Sequence, residues 1–197
     1  MLEAATLGVH LGVNQGAQLA LHLHLLQKWN MKLNLVGPGD LRSWGRRHSL
    51  DSLAVTRWIA PGKIRILDVG SGAGFPGISV AIARPEAQVT LLEPRSNRAA
   101  FLQNVVAGLG ICVRVVADRA EAMTERFDLV MGRAVAPPVE WSTLAARLCG
   151  DAGKFVLFLQ GGEPPTDFRE ATRADWFTYR VPGEPKRSIG LYVPRGT

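Results

Sequence analysis

The residues best suited to chemistry are Asp68-Val-Gly70-Ser-Gly72-Ala-Gly74-Phe75-Pro76-Gly77, which directly follow the apolar run Lys63–Val69. Glycines such as Gly70 and Gly72 permit φ > 0 and let a ligand approach bare backbone. A turn at the carboxyl end of a parallel strand lies where α/β sheets bind their ligands. Read literally, Gly72-x-Gly74-x-x-Gly77 is the dinucleotide fingerprint, which makes NAD one reading. Two features point elsewhere. Asp68 stands where dinucleotide folds carry an apolar residue, and Pro76 has no N–H to offer a pyrophosphate. The turn suits a nucleoside without phosphates, such as S-adenosylmethionine. A purely structural glycine turn is the third reading.

Further acids fall at the ends of later strands. Glu93 follows Gln88–Leu92, where a carboxylate can accept both ribose hydroxyl protons of a bound nucleoside. Asp118-Arg-Ala120-Glu121 follows Val113–Ala117, where polar groups and backbone amides can meet an adenine edge. Taken singly, each acid is more often a solvated loop residue or a helix cap. Together, Asp68, Glu93 and Asp118 with Glu121 define one acidic crevice. No residue in it reads as a general base.

The elements that must position these residues follow from periodicity. Leu19, Leu23 and Leu26 recur at helical spacing between Asn14 and Asn30, with Leu21 and Leu25 widening the apolar face. Gly37-Pro38-Gly39 breaks the chain, Asp40 can cap a following helix, and Arg46–Ile59 reads as another helix ended by Pro61-Gly62. From residue 63 strands alternate with helices, the signature of a parallel sheet. The strands are Lys63–Val69, Gln88–Leu92, Val113–Ala117, Phe127–Met131 and Lys154–Leu159; the helices are Pro76–Arg84, Ser96–Gly108 and Pro138–Leu148. Trp176–Val181 and Ile189–Val193 suggest an antiparallel hairpin on the sheet edge. The expected fold is α/β: a seven-stranded, mostly parallel, doubly wound Rossmann-like sheet. Residues 1–60 form a helical N-terminal extension and residues 61–197 the nucleoside-binding domain, together one compact unit.

Composition narrows the class of protein. Hydrophobic residues make up 47% and charged residues 20% of the 197, enough apolar material for a core. No apolar run approaches the ~18 residues of a membrane span, and no secretory signal is visible, so a cytoplasmic location is expected. Cys112 and Cys149 sit in apolar settings with no CxxC pair, so both are expected to pack inside. All four histidines precede residue 50 without metal-helix spacing, so no metal is expected. His22 and His24, two residues apart on a helix, should point to different faces. Net charge is +6, and the pI near 9.9 is the footprint of a nucleic-acid partner. The five lysines are Lys28, Lys32, Lys63, Lys154 and Lys186, so the other 18 of the 23 cations are arginines, suited to phosphates and flat bases.

The segments ILDVGSGAGFPGISVAIARPEAQVTLLE, GRAVAPP after the fourth strand and RHSLDSL at 47–53 together resemble the bacterial small-subunit ribosomal RNA methyltransferases of the glucose-inhibited division protein B family. The resemblance runs from about Asn30 to Leu159 and more loosely beyond. It implies a class I methyltransferase fold, S-adenosylmethionine as cofactor, and methyl transfer to N7 of a guanosine in small-subunit ribosomal RNA, free or in the assembled subunit. It also implies that Gly70 and Phe75 line the cofactor pocket, that Glu93 holds the ribose, and that Ala120 and Glu121 border the adenine. Arg133 matches the arginine facing cofactor and target base, while Arg47, His48 and Asp51 match a segment at the pocket rim or the RNA. Gln160-Gly161-Gly162 departs from the lysine-glycine pair expected after the fifth strand.

Each of these residues has a structural reading as well. A cation directly after a buried strand, such as Arg133, needs either a carboxylate partner or a ligand. Arg47–Ser52 is equally a helix held by local ion pairs. Trp29, Trp44 and Trp58, near Arg42, Arg46 and Arg47, either seat the extension on the core or face RNA, with packing favoured.

The competing methyl acceptors fit less well. Neither cysteine lies in a Pro-Cys loop, as carbon-5 pyrimidine chemistry requires. In Ala136-Pro137-Pro138-Val139 the first residue cannot accept a hydrogen bond and the last cannot stack on an amino-bearing base. Pro137-Pro138 reads as a helix start. A methyltransferase with a small-molecule acceptor and a non-catalytic RNA-binding or ribosome-assembly module remain the alternatives, and a monomer is expected.

Overall fold

The computed structural model describes residues 7–195; the first six residues of the expected extension and the last two of the chain lie outside the described residues. Among the described residues seven strands form one sheet: β1 (Arg65–Val69), β2 (Gln88–Leu92), β3 (Val113–Val116), β4 (Phe127–Met131), β5 (Cys149–Leu159), β6 (Ala171–Arg180) and β7 (Lys186–Pro194). Their order is β3-β2-β1-β4-β5-β7-β6. The first five are parallel, and β7 runs antiparallel between β5 and β6, which closes the edge as a hairpin.

Side chains of successive strand residues point to opposite faces, and both faces are covered. Ile66, Val89, Leu91, Leu129, Met131 and Val156 fill one core. Leu67, Val69, Leu92, Val130, Phe155 and Leu157 fill the other. Helices α1 (Val13–Leu33), α4 (Gly77–Ala83) and α5 (Ser96–Leu109) contribute to the first layer, and α6 (Pro138–Leu148) packs Trp141, Ala145 and Leu148 into the second. The sheet is therefore doubly wound, and its helical N-terminal segment shares a core with it.

Between α1 and β1 the backbone stays helical but changes its winding. The short helices α2 (Leu41–Trp44) and α3 (Asp51–Leu53) flank a π-helical stretch at Gly45–Leu50, and a 3₁₀ turn at Ala54–Trp58 follows. The single helix expected from Arg46 thus begins earlier, where the Asp40 carboxylate accepts the Ser43 N–H at 2.7 Å. Trp29 meets Phe101 edge-on with ring centroids 5.8 Å apart. Trp58 meets Phe177 at 5.3 Å and donates to Asp175 Oδ2 at 2.8 Å. Trp44 is buried and donates to the Gly37 carbonyl at 3.1 Å. All three rings seat the N-terminal segment on the core.

Two expectations are corrected. Leu21 is 42% exposed, because the buried stripe of α1 runs Leu19, His22, Leu26 at i, i+3, i+7 and Leu21 falls outside it. Cys112 is exposed at the start of the outermost parallel strand, where a single neighbouring strand covers less; Cys149 is buried, and burial pushes its thiol up to about 12. Among the described residues no helix is long and apolar enough to cross a membrane, and no group of three or more His, Cys, Asp or Glu is placed to hold a metal ion.

Leu26, fully buried, and Leu21 separate the two sides of α1. In urea unfolding, Leu26→Ala should cost about 2–5 kcal/mol and Leu21→Ala less than about 0.5 kcal/mol. Equal costs would place the buried stripe elsewhere.

Candidate active site

The turn after β1 needs its glycines. Gly70, Gly72 and Gly74 have φ of 66°, 52° and 93°, a region other side chains rarely adopt. Gly77 is required for space instead: a Cβ there would lie 2.2 Å from Leu91 Cδ2 and 2.6 Å from Asp68 Oδ2. Asp68 accepts the Gly77 N–H at 2.9 Å and so holds the amino end of α4 against the strand. It is fully buried, its other oxygen has no partner, and burial pushes its carboxyl up to about 7 against the opposing pull of the Gly77 N–H. Asp68 therefore lies beneath the turn rather than on the crevice surface.

Glu93 is the acid that faces the turn. Only 3% exposed, it accepts the Gly72 N–H at 2.9 Å through one oxygen and the Arg95 N–H at 3.0 Å through the other. That arrangement fixes the carboxylate at the carboxyl end of β2 and leaves lone pairs for further donors. Ala120 and Glu121 sit in a 3₁₀ turn after β3, Ala120 half-buried and Glu121 exposed. Asp118 is exposed and accepts the neighbouring Arg119 N–H. The acidic crevice read from the sequence thus reduces to Glu93, with Glu121 at its margin.

Arg133 follows β4, and its guanidinium is taken up by protein groups. It lies 3.2 Å from Asp51 and donates to the carbonyls of His48 at 3.5 Å and Arg47 at 3.3 Å. The next residue, Ala134, has φ of 54°, a strained conformation that clusters at functional sites. Val135 then leans over the crevice, its Cγ2 lying 3.4 Å from where a Gly70 Cβ would be.

Asp51, 1% exposed, is the centre of this wall. It accepts the Tyr179 hydroxyl at 2.6 Å and sits 3.3 Å from Arg187 Nε as well as against Arg133. Glu184 joins the cluster by pairing with Arg47 at 3.1 Å and Arg187 at 3.7 Å. Burial and the Asp51 charge both raise the Tyr179 hydroxyl pKa, so it stays a donor. The cluster ties three segments, residues 45–53, the loop after β4 and the β6–β7 hairpin, into one surface beside the glycine turn.

A stack of rings fills the corner between them. His22 packs on Phe75 at 4.8 Å, and His48 stacks on the same ring at 5.2 Å with planes 26° apart. His22 Nε2 lies 2.9 Å from the Ala73 carbonyl, so this nitrogen carries the proton. Burial holds its pKa down to about 4. His48 is held down to about 4 by burial first, then by Arg133, Arg187 and Arg47. Both imidazoles are neutral at neutral pH.

The structure thus brings together Gly70, Gly72, Phe75, Glu93, Arg133, Arg47, His48 and Asp51 at one end of the sheet. Arg42 lies at the exposed start of the preceding helix, and Arg46 is half-buried near Gly183. Tyr179, Glu184 and Arg187 were not legible, because they reach the site from more than 120 positions away in the chain. His22 was legible in principle through its place in the Leu19–Leu26 stripe. Two arginine-bearing clefts of about 660 and 440 Å³ lie at the amino ends of the strands. They are on the wrong edge of the sheet for a ligand held by the glycine turn.

Comparison with known proteins meets this geometry. The GidB family, rRNA small subunit methyltransferase G, matches residues 15–182. The chain belongs to this family. The ribosomal RNA small subunit methyltransferase G of Nitrosospira multiformis is 43% identical over 162 residues, covering 77% of this chain and 74% of that protein. The protein of the same name from Nitrosococcus oceani is 38% identical over 173 residues, covering 86% and 79%. In fold, the chain resembles a mutant of MtNAS solved in complex with S-adenosylmethionine, with a TM-score of 0.63 and 16% identity over 88% of this chain and 73% of that one. The fold of this GidB-family chain is accordingly that of a Rossmann-like methyltransferase.

Two outcomes test the site's construction. Asp51→Asn leaves Arg133 and Arg187 without their buried counter-charge and should cost about 3–5 kcal/mol in chemical denaturation, more than Glu184→Gln with its half-exposed Arg47 partner. A cost no larger than that of Glu184→Gln would remove Asp51 from its central place.

His22, with a folded pKa below its unfolded value of 6.5, takes up a proton on unfolding between pH 6.5 and 4, so stability falls as pH falls through that window. Asp68, raised above its unfolded value, acts with the opposite sign across pH 3.8 to 7. The difference in unfolding free energy between the parent chain and His22→Gln isolates the histidine. It should shrink by about 3 kcal/mol from pH 7.5 to pH 4. A difference constant with pH would contradict the buried neutral imidazole.

Proposed function

We propose that the chain transfers a methyl group from S-adenosylmethionine to N7 of a guanosine in small-subunit ribosomal RNA, acting as a cytoplasmic monomer. The observation that carries the proposal is the pairing of bare, positive-φ backbone at Gly70 and Gly72 with the buried Glu93 carboxylate at the neighbouring strand end. Family membership gives it a reaction.

The residues present fit this cofactor. Glu93 offers acceptor lone pairs at the place a ribose would occupy, and Gly70 and Gly72 expose main chain with no Cβ in the way. Ala120 is small enough to let an adenine lie beside it, with Glu121 and backbone amides at its edge. Pro76, without an N–H, and Asp68, with one unpartnered oxygen under the turn, disfavour a pyrophosphate in the same place. When bound, the cofactor supplies a methyl group already activated on a sulfonium.

What the chain must do is modest chemically. Guanine N7 carries a free lone pair and no proton, so no general base is required. The work is positioning, an effect worth up to ~7–11 kcal/mol where reacting atoms are held in line. Asp51 and Glu184 also matter electrostatically. The acceptor base becomes cationic as the methyl arrives, and these carboxylates offset Arg47, Arg133 and Arg187 at the wall it faces. Arg42 and Arg46, on the same N-terminal segment, extend a basic approach for the RNA backbone.

In calorimetry the chain should bind S-adenosylmethionine at micromolar strength and NAD not at all, and Glu93→Ala should weaken the first at least tenfold. Small subunits from a strain lacking the methylation should acquire one 7-methylguanosine, detected by mass spectrometry. Cofactor binding without methyl transfer would leave only a binding module; transfer to a small molecule alone would replace the substrate. Arg42→Glu with Arg46→Glu should weaken subunit binding and lower its salt slope by roughly 1.5. An unchanged slope would move the RNA approach elsewhere.

A further inference from the structure

We propose that His48 is the stacking platform for the target purine: the outer ring of a three-membered aromatic column that runs from the core to the acceptor side of the crevice. The proposal rests on the methyl-transfer reading above and adds a residue role that reading does not require.

The column is built in order of burial. His22 is fully buried, Phe75 is 8% exposed, and His48 alone is not buried. Phe75 sits between them at 4.8 and 5.2 Å. The inner two rings are locked: His22 by the Ala73 carbonyl, and Phe75 by its place in the glycine turn. The outer ring is locked by its backbone, because Arg133 binds the carbonyls of both Arg47 and His48. His48 therefore touches the cofactor turn after β1 and the loop after β4 at once. In an open parallel sheet the ligand crevice lies outside the carboxyl ends of the strands where their order reverses, here between β1 and β4.

Two further features fit a base rather than a phosphate. An extruded RNA base is commonly held by stacking on an aromatic or imidazole face. The neutrality of His48 also suits a base that gains positive charge as it is methylated, since an imidazolium there would repel the product. Arg133, Arg187 and Arg47, the cations that face it, help to keep it neutral, while Asp51 and Glu184 prevent those arginines from acting as bare charges on the base. His48 lies within the π-helical stretch Gly45–Leu50, and such windings recur at functional sites.

The test is a three-variant series, His48→Phe, His48→Ala and His48→Lys, assayed on small subunits lacking the methylation and by calorimetry with S-adenosylmethionine. His48→Phe keeps a neutral ring and should retain methyl transfer within about threefold of the parent. His48→Ala should lower kcat/KM about 10- to 100-fold, the range expected for one lost base stack, and His48→Lys should fall at least as far. Cofactor affinity should stay within about twofold throughout, and each variant should keep the parent's thermal unfolding within a few degrees. An alanine variant as active as the parent overturns the proposal. So does a phenylalanine variant as poor as alanine, which would assign the role to a ring nitrogen. A loss of cofactor affinity in His48→Ala also overturns it, by assigning the ring to the cofactor. A parent chain that binds subunits without methylating them fails the underlying reading, and the platform falls with it.

Discussion

A carboxylate with almost no contact with water holds one wall of the crevice beside the glycine turn together. Asp51 is surrounded by the Arg133 and Arg187 guanidinium groups and the Tyr179 hydroxyl, donors from two different parts of the chain. Isolated charges of this kind are expensive to bury, and only the full set of partners offsets the cost. The consequence is geometric. The N-terminal helical segment, the loop after β4 and the terminal hairpin cannot move independently without exposing or orphaning that charge. A segment that looks like an appendage in the sequence is thereby made one wall of the crevice.

The opposite wall is made by a different device. Gly70 and Gly72, with left-handed backbone, bring bare main chain to the carboxyl end of β1, Gly74 packs inward on Ile78 and His22, and two acids divide the labour around the turn. Asp68 works from below, securing the first turn of α4, and Glu93 works from the side, pinning Gly72. The strain at Ala134 and the inward lean of Val135 bring the β4 loop close to this turn. The two walls are thus rigid for separate reasons, one through backbone conformation and one through buried charge. Rigid walls suit a reaction in which alignment, rather than proton transfer, limits the rate.

Much of this is legible in the sequence alone. Strands buried on both faces leave continuous apolar runs, so β1, β2 and β4 read plainly, and the turn chemistry of Gly70–Gly77 announced itself. Asp40 and Pro138 marked helix starts because capping and proline act through local backbone geometry alone. What failed depended on tertiary neighbours. Cys112 looked apolar in sequence, yet its strand is the sheet margin and leaves it in solvent. Asp68 and Glu93 looked alike at two strand ends, and only the packing of α4 shows that one is beneath the turn and the other beside it. Arg133 was recognised as needing a carboxylate or a ligand. The carboxylate is Asp51, whose other partners Tyr179 and Arg187 come from the far hairpin, where no local pattern points back to it.

Methyl transfer by this chain requires the crevice at the carboxyl ends of β1 and β2 to seat an adenosyl group. A crystal structure of the chain with S-adenosylhomocysteine tests this most directly. The expected result is a ribose whose hydroxyls bond Glu93 and an amino-acid tail lying along Gly70 and Gly72. A ligand seated instead in a cleft at the amino ends of the strands, or a Glu93 that makes no contact with it, would contradict the account.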